Sequence, residues 1–261
     1  MARGPKKHLK RIVAPKSWMM NKLGGVYGVR PAQGPHKLKE SIPIQVILRD
    51  KLGVAFNATE VNTILHQKEG LFIVDKKVRR NPKYPCGLMD VVDIPKLGKS
   101  YRILYDVKGR FKLVKLRGAE KDFKLCRVQK KFLGPNKICY FTTHDGRTLK
   151  FLTQEVQIQD TVKLNLKTGA VEAVYKMQTG NIAYCTKGNN IGRVGVIQSI
   201  NKFDGNHDLI TVKDAKGNQF TTRCSYLTVV GNGEKAEISL PKGNGIFKNI
   251  LEEKEEREKQ N

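Results

Sequence analysis

Acidic residues are scarce in this chain, tryptophan is nearly absent, and no long apolar run occurs. Asp and Glu total 24 against 49 Lys and Arg, a formal charge of +25 over 261 residues. Self-repulsion on that scale opposes compaction unless a polyanion neutralises it, so nucleic acid or an acidic membrane surface is the expected partner. A membrane partner requires an apolar span or a basic amphipathic helix, and the sequence has neither. The five cysteines, Cys86, Cys126, Cys139, Cys185 and Cys224, are scattered and form no C-x-x-C pair. That excludes the common zinc spacing, and an odd, dispersed set makes no disulfide framework and fits a reducing compartment. The N-terminus has no apolar signal core, and Pro5, Pro15, Gly24 and Gly25 break any amphipathic transit helix there. The expected location is the cytosol, with passage through the nucleus.

Catalytic patterns are equally thin. Gly98-Lys99-Ser100 resembles the end of a phosphate-binding loop, but Asp93 stands where that loop needs its first glycine. Gly243-Asn244-Gly245 lacks a third glycine, because Lys248 occupies its place. The histidines are dispersed, and His144 beside Asp145 reads as a turn residue, since adjacent residues of a hairpin point apart. No catalytic residue, metal site, cofactor or small-molecule substrate is expected.

What is present is basic and short-stranded. Residues 1–40 hold ten cations and one acid, Glu40, punctuated by Pro and Gly. Such a segment does not fold alone, yet Trp18 beside Met19 and Met20 points to an anchor docked on a neighbouring surface. Ser41 is expected to cap a helix with Pro43 in its first turn and Ile44, Ile47, Leu48 and Leu52 at helical spacing, closed by Gly53. A second helix opens at Asn57 with Glu60 in a capping box and Phe56 and Val61 as a staple. Val61, Ile64 and Leu65 form its buried stripe, and Gly70 ends it. Leu71–Val74 then turns at Asp75-Lys76 into the basic run Lys77-Val78-Arg79-Arg80.

From Tyr101 the pattern is β. Tyr101–Tyr105 and Arg110–Leu116, Leu125–Val128, Ile138–Thr143 and Thr148–Leu152, and Val162–Leu166 and Ala170–Val174 read as strands. Asp145-Gly146 and Lys167-Thr168-Gly169 supply hairpin turns. Ile182–Thr186, Val194–Ile200, Asp208–Lys213, Gln219–Cys224 and Leu227–Val230 suit a small SH3-like barrel. Ile238–Gly245 reads as an extended, Gly-rich basic loop, and Glu252–Lys259 is a charged helical tail. The fold class is α+β, mostly β, in five segments: 1–40, 41–95, 96–175, 176–240 and 241–261.

Several stretches are similar to one known family. His8-Leu9-Lys10-Arg11-Ile12-Val13-Ala14-Pro15-Lys16-Ser17-Trp18, Gly34-Pro35-His36-Lys37-Leu38 and Tyr84-Pro85-Cys86-Gly87-Leu88-Met89-Asp90-Val91 resemble the ribosomal protein S4e family, eukaryotic branch. So do Tyr105-Asp106-Val107-Lys108-Gly109-Arg110-Phe111 and Thr143-His144-Asp145-Gly146-Arg147-Thr148. The resemblance implies a basic arm, an alpha-L (S4-type) RNA-binding module, the family's central β domain, a KOW barrel around Gly188, Gly192-Arg193 and Gly195, and the tail. It implies a structural constituent of the small ribosomal subunit, partnered by small-subunit rRNA and neighbouring ribosomal proteins and assembled by way of the nucleolus. A pseudouridine synthase carrying an alpha-L module is the rival. Its Gly-Arg-Leu-Asp signature is missing, since Phe111 follows Gly109-Arg110 and Thr148 follows Gly146-Arg147. A third alternative is a KOW-type factor that binds transiently.

The expected RNA contacts are phosphate contacts, because A-form RNA hides its major-groove edges. They are Lys10, Arg11 and Lys16 of the arm, Arg49 and Lys51 with Lys76, Lys77, Arg79 and Arg80 as one face, Lys187, Asn189, Asn190 and Arg193 of the KOW loop, and Lys242. Many hairpins of this module carry Gly where Lys76 stands. A left-handed lysine costs about 1 kcal/mol, so either the turn differs or a phosphate on Lys76 offsets the strain.

Overall fold

The computed structural model describes residue 4 and residues 6–150, 155–233 and 235–260. Trp18 sets the course of the arm. Strand β1 (Leu9–Lys10) pairs antiparallel with β2 (Tyr27–Gly28). Between them a 3-10 turn, Lys16–Trp18, ends at Met19, whose φ of 61° redirects the chain. Trp18 is fully buried, and its Nε1–H donates to the Ser41 carbonyl at 2.7 Å. A buried indole needs that partner, so Trp18 is one anchor of the basic arm.

This bond also displaces the expected helix start. Ser41 lies in β3 (Ser41–Pro43), paired with Pro85–Gly87, and its hydroxyl donates to the Leu38 carbonyl at 3.3 Å instead of capping. Pro43 takes the cap position, and α1 (Ile44–Val46) continues as a π turn over Ile47–Lys51. The wide turn closes with Leu52 N–H on the Ile47 carbonyl at 2.9 Å, and Gly53 exits at φ 64°. Asn57 precedes α2 (Ala58–His66) without a side-chain cap, while Glu60 accepts from the Phe56 N–H at 2.7 Å, so half of the expected capping box forms, shifted by one residue. Phe56 is 80% exposed, so no staple forms; Val61 and Leu65 are buried as their spacing requires. The helix stops at His66, and Gly70 serves a later turn at φ 62°, where an added Cβ would press on Val78.

The hairpin that follows is short, with β4 (Ile73–Val74) against β5 (Lys77–Val78). After β6 (Pro85–Gly87), the strands β7 (Val91–Ile94), β8 (Lys99–Tyr105) and β9 (Phe111–Lys115) join it in one antiparallel sheet ordered β5-β4-β7-β8-β9. This sheet runs across the boundary expected between residues 95 and 96.

A second sheet contains β10 (Phe123–Leu133), β11 (Cys139–Thr143), β12 (Thr148–Lys150), β13 (Thr161–Asn165) and β14 (Val171–Tyr175) in the order β12-β11-β10-β13-β14. The expected continuation of β12 over residues 151–152 lies outside the described residues. The long β10 pairs with β13 through its first half and with β11 through its second, with a bulge between Val128 and Lys130. The third sheet, β15 (Ile182–Cys185), β16 (Val194–Asn201), β17 (Leu209–Lys213), β18 (Gln219–Arg223) and β19 (Leu227–Gly231), is ordered β18-β17-β16-β15-β19. A last helix, α3, covers Ile250–Gln260. The architecture is mostly β with few helices, and no helix among the described residues is long and apolar enough to cross a membrane.

One core unites these parts. Trp18, Ile44, Ile47, Leu65, Phe72, Ile103 and Phe111 belong to the same buried cluster as Leu125 of the second sheet and Tyr184 and Val229 of the third. Tyr184 Oη accepts from the Tyr105 N–H at 2.7 Å and donates to the Tyr105 carbonyl at 2.8 Å, pinning the third sheet to the first. Replacing Trp18 with Ala is expected to cost about 3–5 kcal/mol. Wild-type protein without RNA should show blue-shifted Trp18 emission; solvent-like emission would overturn the docked geometry.

Candidate nucleic-acid interface

The basic surface rests on a buried charge cluster. Lys124 lies on β10 with its ammonium inside the protein, donating to Asp75 at 2.9 Å, Asp90 at 2.5 Å and Asp145 at 2.9 Å. Arg147 adds bonds to Asp75 at 2.7 Å and Asp145 at 2.9 Å. His36 of the arm closes on both Asp90 oxygens at 3.0 and 3.1 Å. Gly87 is required beside it, because a Cβ there would collide with the imidazole. Backbone N–H groups complete the shell: Gly87 donates to Asp90 at 2.8 Å and Val91 to Asp75 at 3.0 Å. Burial alone would raise the Asp90 and Asp145 carboxyls, but Lys124, with His36 at Asp90 and His144 at Asp145, holds both well below the usual carboxylate range. Burial likewise opposes the charge on Lys124, and its three aspartates override it and raise its pKa.

This cluster decides the hairpin. Asp75 and Lys76 have φ of 50° and 62°, so the turn is of the I′ type. Lys76 Nζ pairs with Asp93 and with Asp122, each at 3.1 Å. The strain expected at Lys76 is therefore offset within the protein, by carboxylates, and no phosphate is needed. The Asp145-Gly146 turn has positive φ only at Gly146, with Gly146 N–H on the Thr143 carbonyl at 3.1 Å, a type I turn with a glycine bulge. His144 and Asp145 make separate hydrogen bonds, although their side chains stay close rather than pointing apart. His144 Nδ1 accepts from the Arg127 N–H and Nε2 faces the Leu88 carbonyl, each at 3.3 Å, while Asp145 faces Lys124. Cys126, His144 and Asp145 bring potential metal-ligand atoms within 4.8 Å of one another. A metal there would sit against the Lys124 ammonium, so the donor set does not suit a cation.

The residues expected to meet RNA divide into two groups. Lys10, Lys16, Lys77, Arg80, Asn189 and Lys242 have exposed side chains. The others, Lys51 apart, are already engaged. Arg11 donates to the Asn21 carbonyl at 2.8 Å, Arg49 pairs with Asp50 at 2.8 Å, and Lys187 pairs with Glu40 at 2.7 Å. Arg79 stacks on Tyr84 at 4.5 Å. Arg193 pairs with Asp214, lies over Phe220 at 3.9 Å and donates to Asn190 Oδ1 at 3.2 Å.

Arg49 and Lys51 do not join the hairpin in one patch. Burial lowers the Lys51 pKa, and Lys112 and Arg110 nearby lower it further. Lys112 lies on β9, at the opposite edge of the sheet from Lys77 on β5, four strand spacings or about 19 Å away.

Besides a concavity beside the hairpin, where Lys77, Arg79 and Arg147 meet Asp75 and Asp145, the described residues form two further basic clefts. The arm folds against the turn after β5 to enclose a cleft of about 690 Å³ lined by Lys6, Lys7, Arg30, Lys37 and Lys83, without a carboxylate. None of the five forms an ion pair with a described residue. A second cleft of about 480 Å³ gathers Lys242 with Lys108, Arg110 and Lys248, and Glu253 of α3 reaches into it to pair with Lys108 at 2.7 Å. Both escape a reading by runs and spacing, because each is built from segments far apart in the chain. The available signal was the run Gly34-Pro35-His36, whose histidine docks the arm.

A mostly-β chain whose arm walls a five-cation cleft is by class a polyanion-binding protein. Comparison with known families is consistent with this. The description "Ribosomal family S4e" matches residues 97–171, "40S ribosomal protein S4 C-terminus" residues 214–261, and "RS4NT (NUC023) domain" residues 3–39. Small ribosomal subunit protein eS4 of Tetrahymena thermophila is 53% identical over 256 residues, covering 98% of this chain and 99% of its own. The same protein of Ixodes scapularis is 48% identical over 98% of this chain and 97% of its own. The crystal structure of the 30S ribosomal protein S4e from Thermoplasma acidophilum superposes with a TM-score of 0.65 at 29% identity, covering 76% of this chain and 99% of that one. The chain belongs to the S4e family of ribosomal proteins.

Two outcomes follow from the buried cluster. Lys124→Met leaves three aspartates facing one another and is expected to cost about 3–5 kcal/mol in denaturant unfolding, against about 0.5 kcal/mol or less for exposed Lys77→Ser. Equal midpoints would show that the cluster is not stabilising. The pH response has a definite sign. Burial pushes His144 from 6.5 down to about 4, with Lys124 and His36 adding to the shift and Asp145 opposing it. The unfolded chain therefore takes up that proton first, and stability falls as pH drops from 6.5 towards 4. Below the ordinary aspartate value of 3.8 the depressed carboxyls Asp90 and Asp145 extend the loss. His144→Gln should flatten the upper window and leave the lower one, as read from melting temperature against pH.

Proposed function

We propose that this protein is a structural constituent of the small ribosomal subunit that binds and orders rRNA and supports subunit assembly. The observation that carries the proposal is the carboxylate-free cleft of Lys6, Lys7, Arg30, Lys37 and Lys83, read together with relatives named as small ribosomal subunit proteins across nearly the whole chain. The protein is not an enzyme; its family is ribosomal and its role structural. It acts in the cytoplasmic ribosome and passes through the nucleolus during assembly, beside neighbouring ribosomal proteins.

In this proposal residues 41–95 work as an alpha-L module, 96–175 as the central β domain, and 176–240 as a KOW barrel of SH3 type. The barrel assignment is supported by the 3-10 turn Cys224–Tyr226 that links its two edge strands. RNA is held through separate grips: the arm with Lys10 and Lys16, the hairpin with Lys77 and Arg80, the loop with Asn189, and the cleft containing Lys242. Each grip is weak at cellular salt, and linkage raises the effective concentration of the next. Lys76, Arg79, Arg193 and Lys187 serve chiefly to position these surfaces.

In sucrose gradients the protein should sediment with small subunits; recovery only among free proteins at low salt would sink the proposal. Replacing Lys7, Lys37 and Lys83 together with Ser should lower the salt slope of RNA binding by about 2 units, at roughly 0.7–0.9 per lost contact. Lys76→Ser should leave the slope unchanged and reduce stability. The reverse pattern would move the RNA face to the hairpin tip.

A further inference from the structure

The second half of β10 leaves the protein body. Its first six residues are buried and its last five exposed. Beyond the bulge, β10, β11 and β12 form a three-stranded meander whose two faces are set by register. One face carries Phe141, which is fully buried in the core of the second sheet. The other carries two rows of side chains. Phe132 lies opposite Tyr140, which lies opposite Lys150; one step back, Lys130 lies opposite Thr142, which lies opposite Thr148.

This outer face has the composition of a nucleobase platform. The Phe132 and Tyr140 rings are stacked, with centroids 5.5 Å apart and planes inclined by 14°. Phe132 is 47% exposed. The arrangement is built in: Gly134 stands two residues after Phe132, and a Cβ there would collide with the Tyr140 ring. Gly134 N–H closes the tip on the Ile138 carbonyl at 2.9 Å, around the 3-10 turn Pro135–Lys137. On this face Lys130 and Lys150 flank the rings, and Lys137 lies at the tip. Between residues 129 and 150 the one acid is Asp145, which is held in the buried cluster.

We propose that this face binds unpaired nucleotides of RNA, with bases stacked on the Phe132–Tyr140 pair, Lys130 and Lys150 on phosphates, and the Thr142 and Thr148 hydroxyls available to base or ribose edges. The proposal rests on the RNA-binding function above and adds the class of ligand for one surface. Duplex bases are already stacked on each other, whereas splayed bases offer a free face to an aromatic sheet. A charge of one sign around the rings selects a polyanion over a neutral protein surface.

The test uses the full chain and a short single-stranded RNA carrying one 2-aminopurine, with the same sequence annealed as a duplex for comparison. Binding is followed by anisotropy and stacking by 2-aminopurine emission. The single strand should bind with quenched emission. Phe132→Ala and Tyr140→Ala should each weaken it about tenfold and relieve the quenching, while duplex affinity stays constant. Tyr140→Phe, which keeps the ring, should behave as wild type and separates stacking from damage to the fold. Bound single strand with undiminished emission, or Ala variants of unchanged affinity, would overturn the platform, leave a protein as its occupant, and spare the rRNA-binding proposal. No binding of either RNA form by the wild-type chain would overturn both.

Discussion

A lysine in the interior is the constraint around which this molecule is arranged. Taking an ammonium out of water costs several kcal/mol, and only close opposite charges with saturated hydrogen bonds repay it. Lys124 meets that condition through Asp75, Asp90 and Asp145. Those aspartates come from the hairpin turn, the loop before β7 and the turn before β12. Arg147 and His36 close the remaining valences. The cluster therefore clamps the arm, the first sheet and the second sheet in one relative placement, in a chain whose net charge works against compaction.

The same logic separates cations that organise the protein from those that face outward. Lys76, Arg147 and Arg193 are held by carboxylates. Once engaged, such a charge contributes little to a phosphate. The cations of the arm's cleft have no such partners among the described residues, and the acids that might have met them are committed elsewhere: Glu40 to Lys187, Asp90 to Lys124. Sequestering acids in the interior leaves a surface more basic than the composition alone implies.

Local pattern carried much of the fold. The five strands of the third sheet lie within a residue of their expected ends, because alternating apolar positions and glycine turns act over a few residues. The misses have tertiary causes. Ser41 looked like a cap, but Trp18 draws its carbonyl into a strand. Phe56 looked like a staple, but the chain buries Ala55 and leaves Phe56 outside. The left-handed turn at Lys76 looked in need of a phosphate to offset its strain, but Asp122 supplies an ion pair there from far along the chain.

The sequence by itself determined the surplus of positive charge, the polyanionic class of partner, the mostly-β strand inventory, the anchor at Trp18 and the family. These depend on composition, short-range periodicity and contiguous motifs. Only the tertiary structure decided which cations face solvent, that the first sheet crosses the expected domain boundary, and that Lys6, Lys7, Arg30, Lys37 and Lys83 share one cleft. The physical reason is range. A charge's role is set by whatever lies within a few ångströms of it, and here those neighbours come from residues far away in the chain.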